Sequence, residues 1–596
     1  MNLESFYSGN EWFAYRFFGA HLERDGVRFC VYAPMAKKVT LIGEFSHWHD
    51  LEMTNSGRGG IYSLLVQNAQ VGQMYKYRIY HHDGTVTDKA DPYGYGMELR
   101  PCSASIIRDM EAFTFTDNMW MCERDKNYDK PMNIYEIHFG SWKSNGDRWY
   151  RYEELGDVLI PYLQEMGYTH VELMPIAEYP LDESWGYQQT GFFAPTARYG
   201  DCDGLKAFVN QCHMAGIGVL LDFVPVHFAV DDYGLSDFDG TNLYEMPFSD
   251  VEKSQWGSFQ FAHGKGEVAS FLKSCANYWL SEYHFDGLRM DAISNMIYWE
   301  GNQQRGVNDS ALHFVQALNE GLHNLHPTAM LIAEDSTSFL KVTAPVQYEG
   351  LGFDYKWDLG WMHDTLEFFK MSPKERESHY QDILFSMHYF YNELYLLALS
   401  HDEVVHGKKT ILDKMYGLYE EKFAQCRALF LYMMTHPGKK LQFMGNEIGQ
   451  FREWAQYRPQ DFDALETYPM HQMFRRFCKD LNLVYRHHPA LYEGEYNKAC
   501  FSYVIADRCE ELVYAYTRSA GNEKILAVFN FSDRMYNNYE IRIDGNHMLK
   551  EIMNSASDIY GGDVCKKSVH DMEIHVRNGS CRMNLEPYSG RLFQVL

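Results

Sequence analysis

The sequence lacks features that would point to a membrane, a nucleic acid, a metal or a nucleotide. It contains no run of about 18 apolar residues, so no segment is long enough to span a bilayer. Only 54 lysines and arginines face 81 aspartates and glutamates, and the net charge of −27 leaves no basic excess for nucleic acid or an anionic membrane. The 12 cysteines form no CxxC pair, which argues against zinc and thioredoxin-type chemistry. No GxGxxG or P-loop is present, which argues against nucleotide chemistry.

Residues 1–18 also lack the apolar core of a secretory signal, because charged and polar residues are spread through them. In a chain without an export signal, cysteines stay reduced and serve mostly in packing. Hydrophobic residues at 46% and aromatic residues at 16% supply a large folded core. We therefore predict a folded cytoplasmic protein, either a monomer or a small homo-oligomer.

Changes of pattern along the 596 residues predict three domains, because the chain is too long for one core. Residues 1–120 contain short alternating strands separated by glycine turns, which predict an N-terminal β-sandwich. Residues 121–495 alternate strand-like and helix-like runs, and residues 496–596 return to strands that predict a C-terminal β-sandwich. Residues 229–266 are too long for a plain connection and are predicted to form an insert in the middle domain.

The middle domain has eight strand-like runs with amphipathic helices between them. The runs are residues 134–139, 169–174, 219–226, 285–291, 330–335, 352–358, 396–402 and 441–447. Eight βα repeats predict an α/β fold of the TIM (β/α)8 barrel type, whose chemistry gathers at the C-terminal ends of the strands. Four of the runs carry an acid at or near that end: Asp222, Asp291, Glu334 and Asp402. Carboxylates delivered together to one edge indicate a site for sugar chemistry.

The local sequence around two of these acids suits catalysis. Arg289 lies two residues before Asp291, so both side chains leave the strand on the same face. The guanidinium is expected to lower the pKa of Asp291 and keep it ionised as a nucleophile; a structural Arg–Asp pair is the alternative. Glu334 ends an apolar strand, where burial is expected to raise its pKa, as a general acid requires.

Motifs spread along nearly the whole chain carry a family resemblance. They are residues 29–34, 43–48, 135–142, 184–188, 190–191, 239–244, 355–357, 360–365, 400–409, 443–447 and 453–454. Through them the chain resembles the 1,4-α-glucan (glycogen) branching enzymes of the α-amylase superfamily, with a family 48 carbohydrate-binding module in front. The resemblance implies that an α-1,4 linkage of a linear glucan is cleaved and the segment moved to a C6 hydroxyl, making an α-1,6 branch of glycogen. It implies α-glucan as the partner and no cofactor.

The resemblance also assigns roles to the three catalytic candidates. Asp291 would attack the anomeric carbon and form a glycosyl-enzyme. Glu334 would protonate the leaving oxygen and then deprotonate the acceptor. Asp402 would hold the distorted sugar and stabilise its oxocarbenium-like transition state.

Six further residues are expected to bind substrate. They are Trp185, Tyr187, Asp222, His227, Arg289 and His401. The resemblance implies that His227 and His401 hydrogen-bond the sugar hydroxyls and that Tyr187 stacks beneath the ring. Asp222 either touches the sugar or braces Arg289, and the sequence leaves both open.

Other interpretations share some of these residues. His401, Asp402 and His406 are possible zinc ligands, but a catalytic site needs three converging ligands and His406 falls past the turn, so no metal is expected. A hydrolase of the same superfamily would use the same acids with water as the acceptor. A non-catalytic glucan-binding scaffold would not need the intact set of three acids.

Overall fold

A computed structural model of the protein describes residues 2–57, 59–247, 250–564 and 573–596. Positions 248–249 of the predicted insert and positions 565–572 of the predicted C-terminal domain lie outside these ranges. The described chain consists of antiparallel sheets, a closed parallel barrel with helices, and further antiparallel sheets, so the predicted fold class is confirmed. Within the same ranges, every helix is too short or too polar to cross a membrane.

Within residues 2–57 and 59–120, nine strands form the N-terminal β part. They are β1 (Gly19–Glu23), β2 (Gly26–Tyr32), β3 (Lys38–Gly43), β4 (Leu51–Glu52), β5 (Thr54–Asn55), β6 (Ile61–Val66), β7 (Met74–Tyr80), β8 (Val86–Lys89) and β9 (Ser105–Ile106). Two antiparallel sheets result, in the orders β1-β2-β6-β5 and β4-β3-β7-β8, and β9 pairs with β7. Along β7, Tyr75, Tyr77 and Ile79 are fully buried while the residues between them are partly exposed. This alternation is typical of a sheet that covers a core with one face.

Twelve strands follow among the residues that the structure describes in the middle of the chain. They are β10 (Asn133–Ile137), β11 (His170–Leu173), β12 (Ala177–Glu178), β13 (Gly191–Pro195), β14 (Gly218–Phe223), β15 (His227–Phe228), β16 (Phe259–Gln260), β17 (Gly287–Met290), β18 (Met330–Ala333), β19 (Tyr355–Trp357), β20 (Tyr395–Leu399) and β21 (Lys439–Phe443). Eight of them close the barrel in the order β10-β11-β14-β17-β18-β19-β20-β21, which confirms the eight predicted strands. The other four form two short antiparallel ladders, β12 with β13 and β15 with β16. Nearly every barrel-strand residue is buried, as expected for parallel strands covered on both faces.

Fourteen α-helices accompany the strands in the described ranges. They are α1 (Leu3–Tyr7), α2 (Asn118–Glu123), α3 (Tyr152–Met166), α4 (Cys202–Met214), α5 (Gly266–Glu282), α6 (Ser294–Ile297), α7 (Asp309–Leu325), α8 (Leu359–Lys370), α9 (Pro373–Arg376), α10 (Asp382–Tyr389), α11 (Ile411–Lys414), α12 (Tyr419–Thr435), α13 (Ala464–Thr467) and α14 (Pro469–His487). Side chains of Asp201, Asn308 and Asp358 accept backbone N–H bonds at the starts of α4, α7 and α8. Such caps satisfy donors that have no partner inside the helix.

Eight strands form the C-terminal β part in the described residues from 496 onward, which omit 565–572. They are β22 (Phe501–Arg508), β23 (Val513–Ala520), β24 (Glu523–Asn530), β25 (Tyr536–Arg542), β26 (His547–Asn554), β27 (Glu573–Val576), β28 (Ser580–Leu585) and β29 (Ser589–Val595). One sheet has the order β22-β23-β24-β29-β26-β27, and β25 pairs with β28. Leu526, Val528, Ile541 and Phe593 lie in the buried core that these strands share.

The chain divides into two compact units. The first contains Met1–Lys126, His138–Ile160 and Glu172–Asp354. The second contains Asn127–Ile137, Pro161–Val171 and Tyr355–Leu596.

Within the first unit, the N-terminal β part packs on barrel elements. The ring of Tyr93 stacks on that of Phe193 in β13, with centroids 5.0 Å apart. The buried Lys89 ammonium donates to the carbonyls of Asp232 and Ser236, at 2.5 and 2.6 Å. The Lys89 contacts hold the segment after β15 against β8 of the N-terminal β part.

Within the second unit, buried cations tie helices to the C-terminal sheet. The guanidinium of Arg376 donates to the carbonyl of Phe531 at 2.8 Å, and that of Arg518 donates to the carbonyl of Thr435 at 3.0 Å. Backbone acceptors of this kind offset the desolvation of a buried charge.

Candidate active site

Arg289 in β17 gathers three carboxylates in the first unit. Its Nη1 donates to both carboxylate oxygens of Asp222 at 2.6 Å and to Asp291 Oδ1 at 3.1 Å. Its Nη2 lies 2.8 Å from Glu334 Oε2. Arg289 itself is only 1% exposed. Burial lowers the pKa of this guanidinium, but the carboxylates outweigh burial and raise it well above its usual value, so it stays charged.

Strand register explains why these residues meet. β14 and β17 are parallel neighbours in which Asp222 is paired with Arg289, so the two side chains share a layer. Asp291 follows Arg289 by two residues and lies on the same face, as predicted. β18 is the neighbour on the other side of β17, and Glu334 follows its last residue. The cluster therefore lies at the C-terminal ends of three adjacent barrel strands, where barrel enzymes carry their chemistry.

The pKa of Asp291 differs from the prediction. Burial raises it, Arg289 lowers it, and the neighbouring carboxylates Glu334 and Asp222 raise it, with a net increase well above the usual range. The expectation that the guanidinium alone would hold the pKa low is therefore wrong, because it ignored desolvation and the nearby negative charges. Asp291 and Glu334 are hydrogen-bonded to each other, and this bond is a further cause of the raised pKa of Asp291.

The turn after β17 positions Glu334. The backbone N–H of Ala292 donates to Glu334 Oε2 at 3.0 Å, beside the bond from Arg289. Ala292 has φ +48°, a left-handed conformation that costs energy for a residue other than glycine. The strained turn thus points one backbone donor at the candidate acid/base and leaves the carboxyl partly accessible.

Tyr187 and Trp185 come from the segment between β12 and β13. The Tyr187 hydroxyl donates to Asp222 Oδ2 at 2.5 Å and accepts from Arg289 Nη1 at 3.3 Å. Asp222 therefore does bind Arg289, one of the two options that the sequence left open. Trp185 is half-buried with φ +55°, two residues before Tyr187.

His227 starts β15 and is buried, 2% exposed. Burial lowers its pKa to about 4, so the imidazole is neutral at pH 7. Its Nδ1 has no hydrogen-bond partner among the residues that the structure describes.

His401 and Asp402 belong to the second unit, directly after β20. Glu136 in β10 is fully buried and binds His401 twice: the backbone N–H donates to Oε2 at 2.9 Å, and ring Nδ1 lies 2.5 Å from Oε1. A carboxylate only accepts, so this contact puts a proton on Nδ1. Asp402 is exposed, and its own backbone carbonyl accepts from Lys408 Nζ at 2.8 Å.

The sequence did not lead us to predict the contact between Glu136 and His401. Glu136 appeared inside a motif, residues 135–142, but was given no role. The signal available was a charged residue in the middle of a strand that is otherwise apolar, because such a residue must have a buried partner.

The described residues contain no group of three or more histidines, cysteines, aspartates or glutamates arranged to hold a metal ion. Their cysteines are all free.

Known families match three segments of the chain. Residues 17–94 match carbohydrate-binding module 48 (isoamylase N-terminal domain), residues 142–238 the alpha amylase catalytic domain, and residues 503–595 the alpha amylase C-terminal all-beta domain. A solved pullulanase from Bacillus acidopullulyticus shares the fold, with a TM-score of 0.72 at 18% identity over 97% of this chain and 74% of that one. Barrel, flanking β parts and carboxylate cluster together define a protein of the α-amylase superfamily.

Two curated relatives narrow the assignment. The chain is 41% identical to the 1,4-alpha-glucan branching enzyme GlgB of Bacillus caldolyticus, over 99% of this chain and 89% of the relative. It is 40% identical to GlgB of Geobacillus stearothermophilus, over 98% of this chain and 94% of the relative. The chain therefore belongs to the family of 1,4-alpha-glucan branching enzymes, as its motifs predicted.

Proposed function

We propose that the protein makes α-1,6 branches in glycogen by a double displacement in which Asp291 is the nucleophile and Glu334 the acid/base. The observation that carries this proposal is the carboxylate pair on Arg289, in a chain 41% identical to a branching enzyme over nearly its whole length. Asp291 must be ionised when it attacks, and the charged Arg289 beside it stabilises that form.

In the first step, an Asp291 oxygen attacks the anomeric carbon of an α-1,4-linked glucose while Glu334 gives its proton to the glycosidic oxygen. The bond from the anomeric carbon to that oxygen breaks, and an ester bond to Asp291 forms. In the second step, Glu334 takes the proton of a C6 hydroxyl, whose oxygen attacks the anomeric carbon and releases Asp291. The donor segment ends on an α-1,6 linkage.

Arg289 supports both steps by remaining charged beside the reacting carboxylates. Its contact with Asp291 stabilises the carboxylate that leaves in the second step, and its contact with Glu334, together with the Ala292 N–H, holds that carboxyl in place. Asp222 holds the guanidinium through two bonds and is itself held by Tyr187. We assign Asp222 to bracing Arg289.

The remaining candidates are assigned to the sugar. Asp402 is exposed, as a residue that must meet the distorted ring needs to be, and we assign it to stabilising the transition state. His227 and His401 are assigned to sugar hydroxyls. Trp185 and Tyr187 are assigned to the glucan face, where aromatic rings pack on pyranose rings.

The partner in this proposal is α-glucan, without a cofactor. The charge of −27 opposes binding to nucleic acid and anionic membranes. We place the protein in the cytoplasm as a monomer or small homo-oligomer, which size-exclusion chromatography with light scattering tests directly.

Amylose tests the reaction. Incubation should reduce the iodine colour with no matching rise in reducing ends, and a debranching enzyme should then release short chains. Asp291→Asn and Glu334→Gln should each lower the rate by roughly 10³-fold, because each removes a group that makes or breaks a covalent bond.

The control is Glu349→Gln, the same chemical change at a carboxyl that is 89% exposed and pairs at the surface with Lys341. It should leave the rate unchanged. A rise in reducing ends that keeps pace with the loss of colour would identify a hydrolase. Full activity of Asp291→Asn would instead support a non-catalytic glucan-binding scaffold.

A further inference from the structure

Trp256 is an exposed indole in the segment between β15 and β16. It is 45% exposed, whereas four tryptophans are fully buried: Trp142, Trp279, Trp357 and Trp361. Its ring centroid lies 5.1 Å from that of His227, with the planes tilted by 41°. An exposed indole combines a large apolar face with one hydrogen-bond donor, a combination that is enriched at binding surfaces.

A closed turn holds Trp256 at its tip. The Ser254 N–H donates to the Ser258 carbonyl at 2.8 Å, and the Gly257 N–H donates to the Ser254 carbonyl at 3.0 Å. The backbone N–H of Trp256 donates to Ser254 Oγ at 3.2 Å. Gly257 has φ +77°, which the turn requires and glycine adopts without strain. The indole is thus presented by an ordered backbone.

A ladder and a side-chain bond set the position of this turn. β16 pairs with β15 so that Gln260, four residues after Trp256, lies opposite His227. Gln188 Nε2 donates to the Trp256 carbonyl at 3.1 Å. Gln188 follows Tyr187, whose hydroxyl binds Asp222 at 2.5 Å. Trp256 is therefore connected through direct contacts to the carboxylate cluster.

The chemistry of the pair matches one face and one edge of a pyranose ring. The indole offers a flat apolar surface for the C–H face of a sugar. The imidazole of His227 is buried and neutral, and its Nδ1 has no partner within the described ranges, so it can exchange a hydrogen bond with a hydroxyl.

We propose that Trp256 is a stacking platform for a glucose unit of the bound α-glucan, next to the unit that His227 binds. The inference rests on the proposed function for its ligand class. The platform binds substrate and transition state equally, because it touches a glucose that does not react. Its loss should therefore raise KM and leave kcat unchanged.

Kinetics on amylose test the platform. Trp256→Ala should raise KM roughly tenfold with kcat within about twofold of wild type, the size expected for one lost aromatic contact. Trp256→Phe keeps a smaller ring, so its KM should lie between those of the wild type and Trp256→Ala. The matched control is Phe385→Ala, which removes an exposed aromatic (53% exposed) from α10 and should change neither constant. Trp256→Ala with a wild-type KM overturns the proposal.

A second measurement uses the unaltered protein. N-bromosuccinimide should oxidise Trp256, and maltoheptaose at saturating concentration should protect it, as read by the mass of the peptide containing residue 256. Oxidation that maltoheptaose does not slow overturns the proposal even if Trp256→Ala fails to fold. Protection in a protein that proves to hydrolyse amylose supports the platform while refuting the branching reaction, so the two failures are distinguishable.

Discussion

The contact between Glu136 and His401 allows a quantitative prediction. Glu136→Gln keeps the size and shape of the side chain but replaces one carboxylate oxygen by an NH2 group. Glu136 accepts from both the backbone N–H and ring Nδ1 of His401, so the amide must turn its donor toward one of these two donors. One charge-assisted bond is lost in a fully buried site, worth about 1.5–3 kcal/mol.

If this loss is expressed through a misplaced His401 in the transition state, kcat/KM should fall about 10- to 150-fold, at about 1.4 kcal/mol for each factor of ten. Glu136→Asp keeps the charge on a side chain shorter by one methylene, and it should recover part of the activity. The assay is the initial rate of iodine colour loss on amylose over a range of concentrations. Thermal melting of each variant shows whether the fold is retained.

Glu551→Gln is the matched control. Glu551 is also buried, and it accepts a charge-assisted bond from Arg591 Nε at 2.6 Å that Glu551→Gln weakens. Unlike Glu136, it lies in the C-terminal sheet. It should lower the melting temperature without changing kcat/KM. Glu136→Gln with a wild-type kcat/KM would refute the positioning role, and an equal loss in Glu551→Gln would show that the effect is general destabilisation.

Two further predictions concern stability. His213 bridges the carboxylates of Asp117 and Asp286 at 2.7 and 3.0 Å, at the N-terminal end of β17; His213→Ala should cost on the order of 3 kcal/mol and lower the melting temperature, while kcat at 25 °C is retained. A lower kcat at 25 °C for the folded His213→Ala variant would contradict this prediction. Burial raises the pKa of Asp91 to about 6. Between pH 4 and 6 the folded state therefore binds a proton that the unfolded state has already released. The free energy of unfolding falls as pH rises through this window, by up to about 3 kcal/mol. Asp91→Asn should remove this dependence, and a melting-temperature difference between wild type and variant that is constant from pH 4 to 7 would refute it.

Local pattern was sufficient for the barrel. Each parallel barrel strand is buried on both faces, so it reads as an apolar run of three to six residues bounded by helix signals, and the eight predicted runs overlap the eight barrel strands. Two-residue spacing likewise determined that Arg289 and Asp291 share a face, because side-chain direction alternates along a strand. These are properties of a few adjacent residues.

Electrostatics at the same residues required the tertiary structure. The prediction for Asp291 counted the adjacent guanidinium but not burial, Asp222 and Glu334, whose combined effect reverses the direction of the pKa shift. Desolvation depends on every atom packed around a group, and no window of sequence contains those atoms.

The amino-acid sequence alone determined the fold class, the order of the elements and which acids end the barrel strands, because these follow from short-range periodicity and from motifs. Tertiary structure decided which groups meet: Glu136 with His401, 265 positions apart, and Trp256 with His227 across a short ladder. Such pairings depend on strand register and loop closure summed over the whole fold, so the protonation of a carboxyl and the exposure of an indole are defined only when the chain has folded.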